Sequence, residues 1–502
     1  MINVLEYLEA TAARFPDKPA VVDREGSLTF GQLLERSRMV AGRIAARFHG
    51  RNEPVAVFLP KCSGGIVSFG GILYSGNFYS PLDTKSPVAR LVAILDKLQP
   101  ALVITDRQHA GAVRSAGIGE ERILLLDEPD AATGGTLPAI PPLIDIDPVY
   151  AIHTSGSTGV PKGVIISHRG VIDYIDWARA QYRVTEEDTI GNQAPFHFDN
   201  STLDIYLCFS TGATLVLIPE DLFLFPVRLL EYLDKESVRL IFWVPSVLAM
   251  IANGDYLSKT TRPPLRKILF AGEVMQNRHL NYWQRKYPEA LFSNLYGPTE
   301  ITVDCTYYIV DREFADDDPL PIGFPRRNMD VLVLTEENRP AAVGERGELC
   351  VRGTSLAHGY WRDPEKTSAA FTQNPLNSSY PEHIYRTGDL VYRNERGEIF
   401  FAGRRDGQIK HMGYRVELGE IETAAVGIPE VRNACAIYDP SASRIVMFYE
   451  AERELEAAYL RKFLLEKLPK YMIPAMFSHE AELPLNANRK IDRLQLTARM
   501  SK

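Results

Sequence analysis

The stretch from His153 to Gly163, His-Thr-Ser-Gly-Ser-Thr-Gly-Val-Pro-Lys-Gly, follows an apolar run, Val149 to Ile152, that reads as a strand. A strand opening into three glycines, four hydroxyls and a lysine constrains the fold, because such a loop is built to hold an anion. Glycines let backbone N–H groups close around phosphate, hydroxyls add donors and the lysine adds charge. It is not a Walker A loop: Pro161 stands five residues after Gly156, and Gly163 follows Lys162 where that motif needs Ser or Thr. A polar surface loop is the plain alternative.

Around this loop, helical and strand patterns alternate. Val4, Leu5, Leu8 and Ala12 recur at helical spacing, a short strand covers Ala20 to Val22, and Thr29 with Gln32 reads as a capping box opening a helix through Ala46. A strand at Pro54 to Leu59, helices at about Gly64 to Tyr74 and Val88 to Leu98, and a strand at Ala101 to Thr105 follow. The rhythm resumes with strands at Thr214 to Ile218, Leu240 to Val244 and Lys267 to Ala271. Such alternation predicts an α/β layered architecture with largely parallel pairing. The prolines between Pro138 and Pro148 mark a connection ahead of the loop, and beyond Gly403 to Gly407 the pattern becomes that of a compact α+β lobe of about 100 residues.

Composition excludes some classes. At 502 residues the chain is long enough for several lobes with their own cores, and 45% hydrophobic with 24% charged residues is globular usage. A formal net charge of −8 argues against a general nucleic-acid binder. Cys62, Cys208, Cys305, Cys350 and Cys435 form no CxxC pair, so neither a zinc site nor a disulfide framework is expected, and a reducing cytoplasm is the simplest location. Glu6 and Glu9 interrupt the N-terminal apolar pattern, so no signal peptide is expected, and no apolar run is long enough for membrane insertion.

Four further blocks follow the loop in order: NLYGPTE from Asn294, YRTGDL from Tyr385, GRRDGQIKHMGYRVELGEIE from Gly403, and NANRKIDR near the end. Alone, the first could be a tight turn after a strand and Asp389 in the second a turn or capping residue. Together with the loop they resemble the adenylate-forming superfamily of nonribosomal peptide adenylation domains, acyl-CoA synthetases and luciferases. Length and the FAGEVMQN and RRDGQIKHMGYRVELGEIE stretches also resemble D-alanine:D-alanyl carrier protein ligases, and the substrate-pocket positions given below resemble those of stand-alone prolyl-carrier-protein ligases. The resemblance implies a large N-terminal domain of layered α/β subdomains, residues 1–403 with a first lobe to about 145. It also implies a small mobile α+β domain, residues 404–502, with a hinge at Asp406.

The implied reaction is attack of a carboxylate on the α-phosphorus of ATP, with Mg²⁺ as cofactor. By resemblance, Thr154, Ser155, Gly156, Ser157, Thr158, Gly159 and Lys162 would cradle the outer phosphates. Asn294, Tyr296 and Gly297 would surround adenine, Asp389 and Arg404 the ribose, Thr299 the α-phosphate, and Glu300 the metal. Lys490 would bridge the substrate carboxylate and α-phosphate during reaction, although Arg489 stands where the family commonly has glycine. Lys410 and Gly413 would face the cleft once the small domain has rotated about Asp406 to admit a thiol.

Asp199 falls where amino-acid-activating members hold the α-ammonium. A carboxylate buried against a fatty or aromatic acid would lack a partner, which is costly. The other pocket positions are Asn200, Leu203, Phe242, Leu269, Ala271, Leu295, Val303 and Asp304. Their bulk implies a small amino acid; the set resembles that of stand-alone prolyl-adenylating enzymes, which implies a proline-like substrate with serine or D-alanine as alternatives, and Asp304 could favour a hydroxyl or a second amine. Only twelve residues follow Lys490, so the acceptor is expected to be the phosphopantetheine thiol of a separate carrier protein. The competing readings are an acyl- or aryl-acid CoA ligase and a nucleotide-binding protein that has lost the reaction.

Overall fold

The computed structural model describes residues 1–128, 142–156, 161–405, 407–440, 442–484 and 491–500. The expected positions Ser157, Thr158, Gly159, Asp406, Arg489 and Lys490 lie outside the described residues.

Two large sheets carry the site. One runs, in spatial order, Phe324–Pro325, Thr306–Ile309, Leu291–Tyr296, Lys267–Phe270, Leu240–Trp243, Thr189–Asn192, Thr214–Leu217, Pro19–Asp23 and Gly26–Thr29. Its strands from Leu291–Tyr296 to Pro19–Asp23 are parallel, and antiparallel strands close both edges. The other runs Gly359–Tyr360, Lys162–Ser167, Pro148–Thr154, Phe78–Pro81, Pro54–Phe58, Leu102–Thr105 and Ile123–Leu125. Here too the middle is parallel, and Pro54–Phe58 is buried at every position, as expected of a strand covered on both faces.

Helices fill the space between these sheets. Leu5–Arg14, His168–Gln181 and Asn200–Thr211 pack on one another within the largest apolar core. The helix Phe30–Ala45 begins with the expected capping box: Gln32 N–H donates to Thr29 Oγ1 at 3.3 Å, and Thr29 N–H to Gln32 Oε1 at 3.0 Å. Such a cap is worth about 1 kcal/mol.

The expectation of largely parallel pairing fails between residues 324 and 404. There Met329–Leu334, Gly347–Gly353, His383–Arg393 and Phe371–Gln373 form an antiparallel sheet, with Ile399–Arg404 paired to His383–Arg393. Short connections such as that between residues 393 and 399 cannot hold a crossover helix, so neighbours run antiparallel.

Beyond this sheet, Gln408–His411 and Tyr414–Glu417 form a hairpin whose turn residues Met412 and Gly413 have φ of 53° and 81°. The helices Leu418–Val426 and Ala457–Leu465 then cover a sheet of Val431–Asp439, Arg444–Ala451 and Met476–Glu480. This segment buries its own core around Ile421, Met447, Leu460 and Leu464.

Candidate active site

Pro148–Thr154 and Lys162–Ser167 pair antiparallel, with Thr154 opposite Lys162. Thr154 and Ser155 are both buried at the loop's entrance. Ser155 Oγ donates to the Arg415 carbonyl at 2.8 Å, whereas Thr154 Oγ1 has no protein partner among the described residues. A buried hydroxyl left so costs roughly 1–3 kcal/mol and invites a ligand oxygen. Lys162 Nζ lies 3.2 Å from the Tyr360 hydroxyl and 3.5 Å from Glu300 Oε1. Burial lowers its pKa below the usual lysine value.

The strand Leu291–Tyr296 delivers the next group. Asn294 Nδ2 donates to the Pro321 carbonyl at 2.8 Å, so its Oδ1 remains to accept from a ligand amino group. The turn after it is tight: a Cβ on Gly297 would meet the Val303 carbonyl at 2.3 Å. Thr302 and Val303 adopt φ of 59° and 71°, a region that costs side-chain-bearing residues on the order of 1 kcal/mol or more. Thr302 Oγ1 offsets part of this by donating to the Ser355 carbonyl at 2.8 Å.

This turn seats Glu300 at 0% exposure. Tyr360 Oη donates to its Oε1 at 2.8 Å, and Arg415 Nη1 to its Oε2 at 2.7 Å. Burial raises the Glu300 pKa, but Arg415, Lys162 and Tyr360 outweigh it and hold the carboxyl well below the usual range.

Asp389 and Arg404 are cross-strand partners, and Arg404 Nη1 donates to Asp389 Oδ1 at 2.5 Å. The second Asp389 oxygen accepts from the Tyr296 hydroxyl. Over the Tyr296 ring stands Lys410, its Nζ 5.3 Å from the centroid. Burial depresses the Lys410 pKa, against the pull of the Asp389 and Asp304 carboxylates.

A cavity of about 100 Å³ joins some of these groups, although Lys162, Asn294, Tyr296 and Glu300 do not line it. Thr154 and Ser155 line one part, Gly297, Thr299, Asp389 and Arg404 another, and Asp199 and Asn200 a third, while Lys410, Gly413 and Arg415 face them from the hairpin. Asp199 precedes the helix Asn200–Thr211, and burial pushes its carboxyl up to about 6 against the opposing influence of Thr299 and Lys410. Gly413 N–H donates to Glu273 Oε1 at 2.8 Å, and a Cβ at Gly413 would meet Val244 Cγ1 at 2.7 Å.

The other expected pocket positions are buried in the core and do not line this cavity: Leu203 on the helix, Phe242 paired in register with Leu269, then Ala271, Leu295 and Val303. Asp304 is 1% exposed and accepts from the Tyr174 hydroxyl at 2.7 Å. Burial, only partly countered by that bond, pushes its carboxyl up to about 7.

Comparison with known proteins places this geometry. Residues 8–361 match the family of AMP-binding enzymes. The chain belongs to that family. It is an ATP-dependent, AMP-forming ligase of the adenylate-forming superfamily. It is 32% identical to Zwittermicin A synthase ZmaJ of Bacillus cereus, over 98% of this chain and 94% of that one. It is also 32% identical to an L-proline--[L-prolyl-carrier protein] ligase of Pseudomonas fluorescens, over 98% of each chain. Identity is again 32% to a D-alanine--D-alanyl carrier protein ligase of Bacillus licheniformis, over 99% of each chain. Some relatives are far longer, and the chain spans 8% of tyrocidine synthase 3 of Brevibacillus parabrevis. The structure of holo-PA1221, an NRPS protein containing adenylation and PCP domains, superposes with a TM-score of 0.85 at 24% identity, over 99% of this chain and 84% of that one. This is the adenylate-forming fold expected from sequence.

Sequence reading missed Tyr360, Arg415, Glu273 and Tyr174. Arg415 lies inside the quoted block from Gly403, so its position was marked although its partner was not. Tyr360 and Tyr174 carry no local signal. No helix among the described residues is long and apolar enough to cross a membrane.

Proposed function

We propose that the chain is a stand-alone amino-acid adenylation enzyme. It activates a small amino acid with ATP and passes the aminoacyl group to the phosphopantetheine thiol of a separate carrier protein. The observation that carries this reading is Asp199, a carboxylate lining the same cavity as Thr154, Ser155, Asp389 and Arg404. An α-ammonium supplies the partner that a buried carboxylate needs, whereas a simple carboxylic acid does not. The two relatives named as carrier-protein ligases, matched over nearly their whole length, support the acceptor.

The residues present fit ATP and Mg²⁺. Glu300 is a hard oxygen donor already facing cations, and the unpartnered Thr154 hydroxyl suits a phosphate oxygen. Glu300 would hold the metal, which would offset the negative charge of the phosphates. Thr154, Ser155, Gly156, Ser157, Thr158, Gly159 and Lys162 hold the outer phosphates. Asp389 and Arg404 take the ribose, and Asn294 and Tyr296 the adenine. Asp199 and Thr299 orient the substrate carboxylate towards the α-phosphorus, and Lys490 offsets the charge that develops between them. In this reading residues 1–403 are the core domain and 404–502 a small domain turning about Asp406, as in enzymes whose lobes rearrange between steps. The enzyme acts in the cytoplasm.

Val303, Leu269, Leu295 and Phe242 confine the side chain to a compact shape, proline-like rather than extended. Each surplus methylene in so filled a pocket costs on the order of 1–3 kcal/mol. The test is amino-acid-dependent pyrophosphate exchange over both enantiomers of proline, serine and alanine, with benzoate and short fatty acids alongside. Exchange is expected with a small amino acid; exchange only with the simple acids would replace this reading by that of an acid:CoA ligase.

A further inference from the structure

Tyr174 lies on the helix His168–Gln181, outside the expected pocket positions, yet its side chain ends on one of them. Its fully buried hydroxyl donates to Asp304 Oδ2 at 2.7 Å. Asp304 Oδ1 takes no hydrogen bond from any described residue. The guanidinium packed on this pair is committed elsewhere: Arg326 Nη1 donates to Asp173 Oδ2 at 2.6 Å, and its Nε reaches the Asp304 main-chain carbonyl, at 2.9 Å, not the carboxylate. Arg326 also lies over the Tyr174 ring, 5.4 Å from its centroid, and so helps to fix where the hydroxyl points. An ionised carboxylate accepts up to about four hydrogen bonds, so a single donor leaves this buried group short. The Asp199 carboxylate and the Lys410 ammonium, which both line the reaction cavity, are close enough to act on the Asp304 charge.

We infer that Tyr174 sets substrate selectivity by positioning Asp304: with Oδ2 held, Oδ1 is presented as an acceptor, and the amino acid activated carries a hydroxyl or ammonium donor on a short side chain. The inference rests on the proposed amino-acid adenylation reading and narrows its substrate. Leu203, Phe242, Leu269, Leu295 and Val303 are apolar, so Asp304 is the polar group that a side chain directed among them would meet. Serine is compact and brings a donor; proline is compact and brings none beyond its α-ammonium. A side chain without a donor would cover Asp304 Oδ1 unpaired, at a cost of about tenfold to a hundredfold in kcat/KM. A site built to hydrogen-bond a substrate rejects the analogue lacking that group far more strongly than an apolar wall rejects a hydroxyl. Tyr174 touches no substrate atom in this scheme. It is a positioning residue, and its own orientation is held by the Arg326–Asp173 pair.

The test is pyrophosphate exchange at pH 8, above the value of about 7 to which burial pushes the Asp304 carboxyl. Serine, 2,3-diaminopropionate, 2-aminobutyrate, alanine and proline are compared in the unsubstituted enzyme, Tyr174→Phe and Asp304→Asn. 2-Aminobutyrate has the shape of serine with a methyl group for the hydroxyl, so kcat/KM for serine or diaminopropionate should exceed it by about tenfold to a hundredfold in the unsubstituted enzyme. In Tyr174→Phe, which keeps the ring and removes the hydroxyl, that ratio should fall towards unity. In Asp304→Asn the Tyr174 hydroxyl claims the amide oxygen and turns the amide N–H groups to the substrate. Diaminopropionate should then lose far more than serine, whose hydroxyl can also accept. This second variant keeps Tyr174 in place and decides the question even where Tyr174→Phe does not fold. An unsubstituted enzyme that uses 2-aminobutyrate or proline as well as serine and diaminopropionate would overturn the inference, as would an undiminished ratio in Tyr174→Phe or an unchanged ranking in Asp304→Asn. Exchange with no amino acid at all would instead remove the reading on which the inference rests.

Discussion

Asp199 and Thr299 line one cavity, so the residue expected to meet the substrate's ammonium and the one expected to meet the α-phosphate open onto the same space. The Thr299 side follows the tight turn at Gly297, whose Cβ position is closed off by the Val303 carbonyl.

Asp199→Asn should raise KM for every amino acid roughly tenfold to a hundredfold, the worth of one charge-assisted contact. Burial pushes the Asp199 carboxyl up to about 6, and it must be ionised to pair with an ammonium. In the unsubstituted enzyme kcat/KM for the amino acid should therefore fall about tenfold per pH unit below that value. The Asn variant should lack this limb. Pyrophosphate exchange between pH 5 and 8 checks both, and an unchanged acid limb in Asp199→Asn would assign it elsewhere.

Asp304→Asn should stabilise the protein at pH 8 and much less at pH 4. Folding raises this carboxyl from its ordinary value of 3.8 to about 7, so the folded state binds the extra proton. Stability conferred by that protonated form is lost as pH rises from about 4 through 7. Asparagine removes the slope and still accepts from Tyr174, so the gain at pH 8 should be on the order of 2 kcal/mol. Urea titrations at both pH values measure it; an equal change at both would show packing, not charge, to be at stake.

Lys490→Ala should lower adenylate formation by about 10² to 10³, the scale for removing one group that stabilises developing charge. ATP affinity, measured by equilibrium binding, should change little. Near-normal exchange in this variant would remove Lys490 from the reaction.

Asp406→Pro should spare adenylate formation more than thiol transfer, because proline fixes φ where a backbone rotation is needed between steps. Pyrophosphate exchange and single-turnover loading of a carrier protein measure the two separately. Equal loss in both would leave Asp406 a merely structural residue.

What the sequence disclosed depended on the range of the forces involved. The capping box at Thr29 and Gln32 and the helix Val88–Leu98 were legible because their signals lie within one or two turns. The antiparallel sheet between residues 324 and 404 was not, since its pairing joins segments such as Gly347–Gly353 and His383–Arg393 whose patterns do not name a partner. Within the site, the blocks located Asn294, Glu300 and Asp389, but the environment of Glu300 comes from Lys162, Tyr360 and Arg415, scattered along the chain. Charge balance at a buried carboxylate is set in three dimensions and leaves no spacing to read.

Phe242 and Leu269 face each other in register on neighbouring strands of the large sheet, while Lys410, Gly413 and Arg415 belong to a hairpin attached to a separate core. In the proposed reading, the contour that would select the substrate and the device that would admit the next reactant are thus built on independent scaffolds. Exchanging a side chain on the strands can retune which molecule is accepted without recasting the part that closes over it, so new specificity is open to single substitutions.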